Sequence, residues 1–367
     1  MIFIKKNVCF LIGSLSGTGG IGRVVSILSK TLSISKMYNI YVVGYSDNNV
    51  SIKCSYNFYK DVLLFGLDQE NKSMKKGIFN ASKKLREIIN DNDIDVLISC
   101  GALYFPLGVL STGFKKCKLI CWEHSNYYVT TDHTYSKLSR KIGSIFADKL
   151  ITLTKKDMNN YIDNEKIKSI EYIYNPIDPI LVSKDIKYNV ESKKIISVGR
   201  LSYQKNFEAL IEVAHRVFIN HNDWEWHIYG DGEDREILKC KIKEYDLDKK
   251  IILKGRVENI YDIYNEYSML VMTSRYEGFP MTIIESLTSN IPVISFNIQT
   301  GPDELIEDGI NGFLVNFEDI EEMVDKINQL IDNKELRLSM SNNCYRIREK
   351  LNIDMIIDKW DDVIKSL

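Results

Sequence analysis

The stretch Val8-Cys9-Phe10-Leu11-Ile12-Gly13-Ser14-Leu15-Ser16-Gly17-Thr18-Gly19-Gly20-Ile21-Gly22-Arg23-Val24-Val25 passes from five apolar residues, through a glycine-rich loop, into a segment of helical period. An apolar run without polar alternation suits a strand buried on both faces, and such strands lie in parallel sheets covered by helices. The glycines let the backbone turn sharply, and the first turn of the following helix presents unpaired N–H groups to whatever lies beyond the strand.

Working outward, the same rhythm recurs. Residues 40–43, 96–99, 118–122, 150–153 and 170–174 read as further short strands, separated by helical stretches such as 24–32, 75–90 and 155–161. Residues 175–194 carry Pro176 and Pro179 and no strong periodicity, the signature of an interdomain linker. Strands then resume at 195–198, 225–229, 251–253, 269–272 and 292–295. We therefore expect two Rossmann-like, doubly wound parallel-sheet domains, 1–174 and 175–353. In such sheets a ligand lies beyond the carboxyl ends of the strands, so the residues just after each run are the ones to read.

The composition limits the function classes. With 367 residues and 44% hydrophobic side chains, the chain can bury two cores. A formal charge of -2 argues against a nucleic-acid binder held by a large positive field. The charge is unevenly spread: 24 basic against 15 acidic residues up to Asn175, and 24 against 35 after it, balances of +9 and -11. Seven cysteines at irregular spacing suggest neither a disulfide framework nor a zinc knuckle. The apolar run 8–12 is too short for a signal peptide, and 96–110 too short and too interrupted for a membrane span, so a cytoplasmic protein is expected.

Several loops carry chemistry. Gly17, Gly19 and Gly22 spell G-x-G-x-x-G, but four residues separate the strand from its first glycine and no acidic residue closes the second strand at Gly44. The loop is thus a phosphate cradle or a plain strand-to-helix turn. Glu123-His124 follows strand 118–122, which puts one of five histidines at a strand's carboxyl end. His133, His215, His221 and His227 lack that context and are read as having no role. Arg200 and Lys205 leave one strand-to-helix loop, where two cations beside a helix N-terminus suit a diphosphate. Gly230-Asp231-Gly232 is a tight turn at the same edge. Glu277-Gly278-Phe279-Pro280 precedes a helix in whose first turn Pro280 fits, with Glu285 about one turn in, where a carboxylate can accept two hydrogen bonds from a vicinal diol. Gly301-Pro302-Asp303-Glu304 opens a further turn.

In this order, Gly19-Gly20, Glu123-His124, Gly199-Arg200 with Lys205, Gly230-Asp231-Gly232, Glu277-x7-Glu285 and Gly301-Pro302-Asp303-Glu304 resemble glycosyltransferase family 4, over nearly the whole length. The resemblance implies the GT-B fold, two such α/β domains facing across a cleft, with a last helix at 354–367 that contains Trp360 and returns to the first domain. It implies a retaining enzyme that moves a hexose or N-acetylhexosamine from a nucleotide sugar, by family analogy a UDP-sugar, to an acceptor held by the first domain. It implies donor diphosphate binding for Arg200 and Lys205, the ribose for Glu285, the donor sugar for Glu277 and the backbone of Gly278, Phe279 and Pro280, and a donor-side place for Gly19, Gly20, Gly230 and Arg256. His124, Arg200, Lys205 and Glu277 are the catalytic candidates. No metal or other cofactor is implied, and Asp91-Asn92-Asp93-Ile94-Asp95 lies at the wrong end of a strand for the D-x-D of metal-dependent transferases.

Competing readings are a nucleotide-sugar epimerase of the same architecture, an NAD-dependent oxidoreductase and a two-domain binding protein. The basic residues Lys72, Lys75, Lys76, Lys83, Lys84, Arg86, Lys115, Lys116, Lys118, Lys137, Arg140 and Lys141 lead us to expect a peripheral enzyme at an anionic membrane surface, or else simply solvated helix faces. With the family's habit of extending lipid-linked precursors, they suggest a polyprenyl-diphosphate-linked acceptor in O-antigen or capsule synthesis.

Overall fold

A computed structural model describes residues 5–17, 19–70, 73–113, 116–129, 133–184 and 186–367. The chain divides into two compact units, residues 1–176 with 353–367, and residues 177–352. Thr18, Lys72 and Lys115 of the sequence reading lie outside the described residues.

The first unit is built on seven strands: β1 (Lys6–Ile12), β2 (Tyr38–Gly44), β3 (Leu63–Gly66), β4 (Val96–Cys100), β5 (Lys118–Trp122), β6 (Lys149–Thr152) and β7 (Ile170–Tyr172). They stand in the order β3-β2-β1-β4-β5-β6-β7, every neighbouring pair parallel. Helices α1 (Gly20–Ile34), α2 (Met74–Asp91), α3 (Phe105–Thr112), α4 (His133–Phe146) and α5 (Lys155–Asn164) make the crossovers. Cys9 and Leu11 join one apolar cluster, while their neighbours Val8, Phe10 and Ile12 are equally buried on the opposite face. Burial on both faces is why β1 reads as a continuous apolar run.

The second unit begins with α6 (Pro179–Val182) and carries β8 (Lys194–Val198), α7 (Phe207–Asn220), β9 (Glu225–Tyr229), α8 (Arg235–Glu244), β10 (Ile251–Gly255), β11 (Met269–Met272), α9 (Met281–Thr288), β12 (Val293–Asn297), β13 (Gly312–Asn316), α10 (Ile320–Asp332), α11 (Lys334–Asn343) and α12 (Arg346–Lys350). Its strand order is β10-β9-β8-β11-β12-β13, again all parallel. The order reverses between β1 and β4 in one sheet and between β8 and β11 in the other. In such sheets a reversal parts the crossover helices, so the carboxyl edge at that point is where a ligand is expected.

The structure corrects the sequence reading in places and adds to it in others. The expected linker is structured near its start: Asp178 caps α6, accepting from the Ile180 amide at 2.9 Å, and Leu181 is buried. β3 and β13 were not legible, one being a four-residue edge strand with Leu63 half exposed, the other opening on a glycine. α3 contains Pro106 and Gly108, yet Pro106 sits in the first turn, where no intrahelical donor is lost. Pro280 is the N-cap of α9 rather than part of its first turn.

The last helix, α13 (Ile353–Lys365), belongs to the first unit, where Trp360 is fully buried with its ring centroid 4.8 Å from that of Trp122. Several of the basic residues are not surface cations. Arg140 is buried, and Lys84 and Lys118 pair with Asp68 and Asp148. Lys75, Lys76, Lys83, Lys116, Lys137 and Lys141 remain exposed. No helix among the described residues is long and apolar enough to cross a membrane.

Candidate active site

In the second unit the reversal of strand order brings together residues far apart in sequence. β8 runs into Gly199, Arg200, Leu201 and Ser202, a single 3-10 turn Tyr203–Lys205, and then Asn206, whose left-handed φ of 53° tips the chain into α7. β11 lies beside β8, so its exit loop, residues 273–280, meets this segment. Thr273 Oγ1 donates to the carbonyls of Lys205 and Asn206 at 3.1 Å. The Arg275 amide donates to Gln204 O at 2.8 Å, and its guanidinium bonds Tyr203 O at 2.6 Å while lying 4.1 Å from the Tyr203 ring centroid.

This zipper sets the central pair of the site. Lys205 Nζ stands 2.6 Å from Glu277 Oε1, with side-chain exposures of 15% and 10%. Ser274 Oγ also donates to Glu277 Oε1 at 2.8 Å, and Gln204 Nε2 to Oε2 at 3.3 Å. A carboxylate with so little solvent needs such donors, because an isolated buried charge costs several kcal/mol (~ the effective desolvation penalty). The loop after β12 closes the group: Thr300 Oγ1 donates to Glu277 O at 2.9 Å, and Gly301 takes φ 106° against Pro280. Arg200 is exposed at the same edge.

On the other side of β8, the turn after β9 presses onto the β8 loop. The Leu201 amide donates to Asp231 O at 3.1 Å, and Gly230, at φ 135°, lies so close that a Cβ there would collide with Gly199 O. The Gly230 amide donates to Gly255 O at 2.8 Å, which places exposed Arg256 at the end of β10 next in line. Glu285, on α9, is 3% exposed and accepts from Tyr264 Oη at 3.2 Å. Phe279 and Pro280 are buried, so their side chains shape the loop. Arg200, Lys205, Gly230, Arg256, Glu277 and Gly278 thus follow strand ends at one carboxyl edge of this unit, with Glu285 buried on the helix that leaves it, a set of cations, carboxylates and a helix N-terminus whose chemistry suits a phosphorylated diol.

The first unit carries the remaining candidates. Gly19 is the N-cap of α1 and Gly20 its first residue, both exposed. The loop before them is held by Asp47, which accepts from the amides of Leu15 (2.7 Å) and Ser16 (3.4 Å) and from Ser14 Oγ (3.1 Å). Asp47 is the acid nearest the end of β2, and it is buried on loop backbone, which leaves no carboxylate for a dinucleotide ribose there. Sequence reading missed it because its partners are 31–33 residues away.

Glu123, next to His124, is fully buried and serves as the anchor of the loop. Its Oε1 accepts from the His124 and Ser125 amides at 3.0 and 3.1 Å, and its Oε2 from Tyr161 Oη at 2.7 Å and Arg140 Nε at 3.4 Å. The His124 ring lies against Trp122, centroids 4.1 Å apart, which in turn meets Trp360 of α13. Burial pushes the His124 pKa down to about 3, so the imidazole is neutral at physiological pH. Neighbouring Asp157 is pushed up to about 7, chiefly by burial and further by the Glu123 charge. Among the described residues no cluster of His, Cys, Asp and Glu has the arrangement of a metal site, and all seven cysteines are free.

Residues 182–347 match the family model for glycosyl transferases group 1. The chain is 31% identical over 375 residues to the amylovoran biosynthesis glycosyltransferase AmsD of Erwinia amylovora, covering 96% of this chain and 98% of that one. It is 26% identical over 377 residues to a Campylobacter jejuni α-1,4-N-acetyl-D-galactosaminyltransferase that acts on a diphosphate-undecaprenol-linked glycan, covering 98% and 99%. A solved structure of Staphylococcus aureus TarM, in complex with fondaparinux, α-GlcNAc-glycerol and UDP, has 17% identity and a TM-score of 0.86, covering 98% of this chain and all of that one. The fold is GT-B. The epimerase and oxidoreductase readings find no support in these likenesses.

Proposed function

The chain belongs to the group 1 glycosyl transferases, and we propose that it moves a hexose or N-acetylhexosamine, with retention, from a UDP-sugar to a lipid-linked glycan acceptor in surface-polysaccharide synthesis. The observation that carries this reading is the Lys205–Glu277 pair at the strand-order reversal of the second unit, with Arg200 and the Gly230 turn on one side and Glu285 on the other. Arg200 and Lys205 neutralise the donor diphosphate, whose charge grows as the sugar departs. Glu285 accepts from the ribose diol. Glu277, fixed by Lys205, Ser274 and Gln204, accepts from sugar hydroxyls. The bond from the anomeric carbon to the diphosphate oxygen breaks, the acceptor oxygen bonds to that carbon on the same face, and its proton passes to the departing diphosphate. The carboxylate-pair chemistry of retaining glycosidases has no part in this scheme.

The acceptor and the base rest on relatives. The Campylobacter enzyme takes an undecaprenol-linked glycan, and UDP occupies TarM. The first unit offers a matching surface: exposed Lys75, Lys76 and Lys83 share α2 with Phe79, which is 79% exposed, and α4 exposes Lys137 and Lys141 beside Leu138. Cations beside apolar side chains suit an anionic lipid headgroup layer. The enzyme then works peripherally at the cytoplasmic face of the membrane, needing no metal.

The test is product analysis. Incubation with UDP-hexoses and UDP-N-acetylhexosamines and a polyprenyl-diphosphate glycan should give one extended product whose new linkage keeps the donor's anomeric configuration by NMR. An inverted linkage, or tight binding of guanosine but not uridine diphosphate, contradicts the proposal.

A further inference from the structure

Between β10 and β11 runs a strap with two single 3-10 turns, Ile260–Asp262 and Tyr264–Glu266. Two of its tyrosines, Tyr264 and Tyr267, are fully buried. A buried phenol must find an acceptor for its hydroxyl, otherwise phenylalanine fills the space at lower cost. The Tyr267 hydroxyl lies 2.9 Å from that of Tyr229 and 2.8 Å from His227 Nδ1. Tyr229 is the last residue of β9, immediately before the Gly230 turn. The Tyr264 hydroxyl donates to Glu285 Oε2 at 3.2 Å. One short strap therefore braces both the strand end that carries the glycine turn and the carboxylate on α9.

We propose that Tyr264 is a positioning residue for recognition of a nucleoside diphosphate: its hydroxyl fixes the plane of the Glu285 carboxylate so that the carboxylate meets a ribose diol in one orientation. This rests on the reading of Glu285 as the ribose acceptor. The terminal torsion of glutamate is broad, so a fixed donor narrows the planes its carboxylate samples. A diol bonded through two hydroxyls accepts few of them. Preorganisation by a fixed donor strengthens binding by lowering the ordering cost.

The test compares affinities for UDP and 2′-deoxy-UDP by titration calorimetry in the wild type, Tyr264→Phe and Tyr267→Phe. The wild type should prefer UDP by about tenfold, the worth of one hydrogen bond to a charged group. Tyr264→Phe should weaken UDP by about five- to tenfold while leaving 2′-deoxy-UDP within about twofold, so that the preference collapses. Tyr267→Phe, which removes a hydroxyl from the same strap without touching Glu285, should keep the preference. Equal weakening of both nucleotides in Tyr264→Phe, an unchanged preference there, or loss of preference in Tyr267→Phe would overturn the proposal. A wild type that does not distinguish the two nucleotides would instead overturn the ribose assignment of Glu285, and this proposal with it.

Discussion

The Lys205 ammonium bridges 72 residues of sequence to lie 2.6 Å from Glu277 Oε1. The group proposed for the donor phosphates and the group proposed for the donor sugar thus hold each other. Each is kept in its rotamer by the other, so on the proposed reading a diphosphate would meet a lysine already aimed by a carboxylate.

Arg200 is exposed and Lys205 is enclosed, which separates two effects of removing a cation. Arg200→Ala and Lys205→Ala should both lower kcat/KM by about 10²- to 10³-fold, with kcat falling as well, because the phosphate charge develops in the transition state. Lys205→Ala alone should also lower the melting temperature, with a loss on the order of 1–3 kcal/mol, less than the ~3–5 of a fully enclosed pair because Ser274 and Gln204 still serve Glu277. Steady-state kinetics and thermal unfolding check both. Unchanged turnover in the two variants removes the phosphate assignment.

Glu285→Ala should weaken binding of UDP by about 10- to 100-fold, and Glu285→Gln less, since the amide keeps one acceptor for the ribose. Titration with the nucleotide alone reads this. Wild-type affinity in the alanine variant would end the ribose assignment.

A half-buried histidine and a buried aspartate of the first unit tilt stability with pH in opposite senses. His124, with its folded pKa near 3, takes up its proton more readily when unfolded, so it makes stability fall as pH drops from about 6.5 toward 3. Asp157, with its folded pKa near 7, takes up its proton first in the folded state, so it makes stability rise as pH drops from 7 toward about 4. Between about pH 4 and 6.5 the two slopes, each on the order of 1.4 kcal/mol per pH unit, offset one another. Asp157→Asn should expose the histidine slope and His124→Gln the aspartate slope. Denaturant melts across this range showing the same slope in both variants would contradict the assignment.

The double-wound architecture was legible because β1, β5 and β11 are buried on both faces and read as apolar runs, and β8 as one interrupted only by Ser197. The loops that follow them were legible for the same reason. What was not legible is the pairing within the sites. Lys205 finds Glu277 only because β11 crosses to lie beside β8, and Tyr264 finds Glu285 only because the strap brings its hydroxyl to α9. Arg140 looked like one more surface cation in a basic segment, yet it turns inward to Glu123 and to the carbonyls of Asn126 and Val129. Charge and spacing along a chain do not say which face of a helix a side chain takes when its partner comes from another element.

Exposed Lys75, Lys76 and Lys83 with Phe79 should bind anionic but not neutral liposomes. The electrostatic part should weaken as salt rises, since surface charges are screened over about 8 Å at physiological ionic strength. Changing the three lysines to glutamate should abolish cosedimentation, whereas Lys84→Glu, at a lysine already paired with Asp68, should have the smaller effect. Equal sedimentation with both liposomes would mean that the +9 balance has another cause.

The most direct measurement is release of nucleoside diphosphate from a panel of nucleotide sugars, with and without a polyprenyl-diphosphate-linked glycan, by the wild type and by Lys205→Ala. One UDP-sugar should give acceptor-dependent UDP release, reduced by about 10²- to 10³-fold in the variant. Release independent of the acceptor, release from no nucleotide sugar, or equal release by the variant would contradict it.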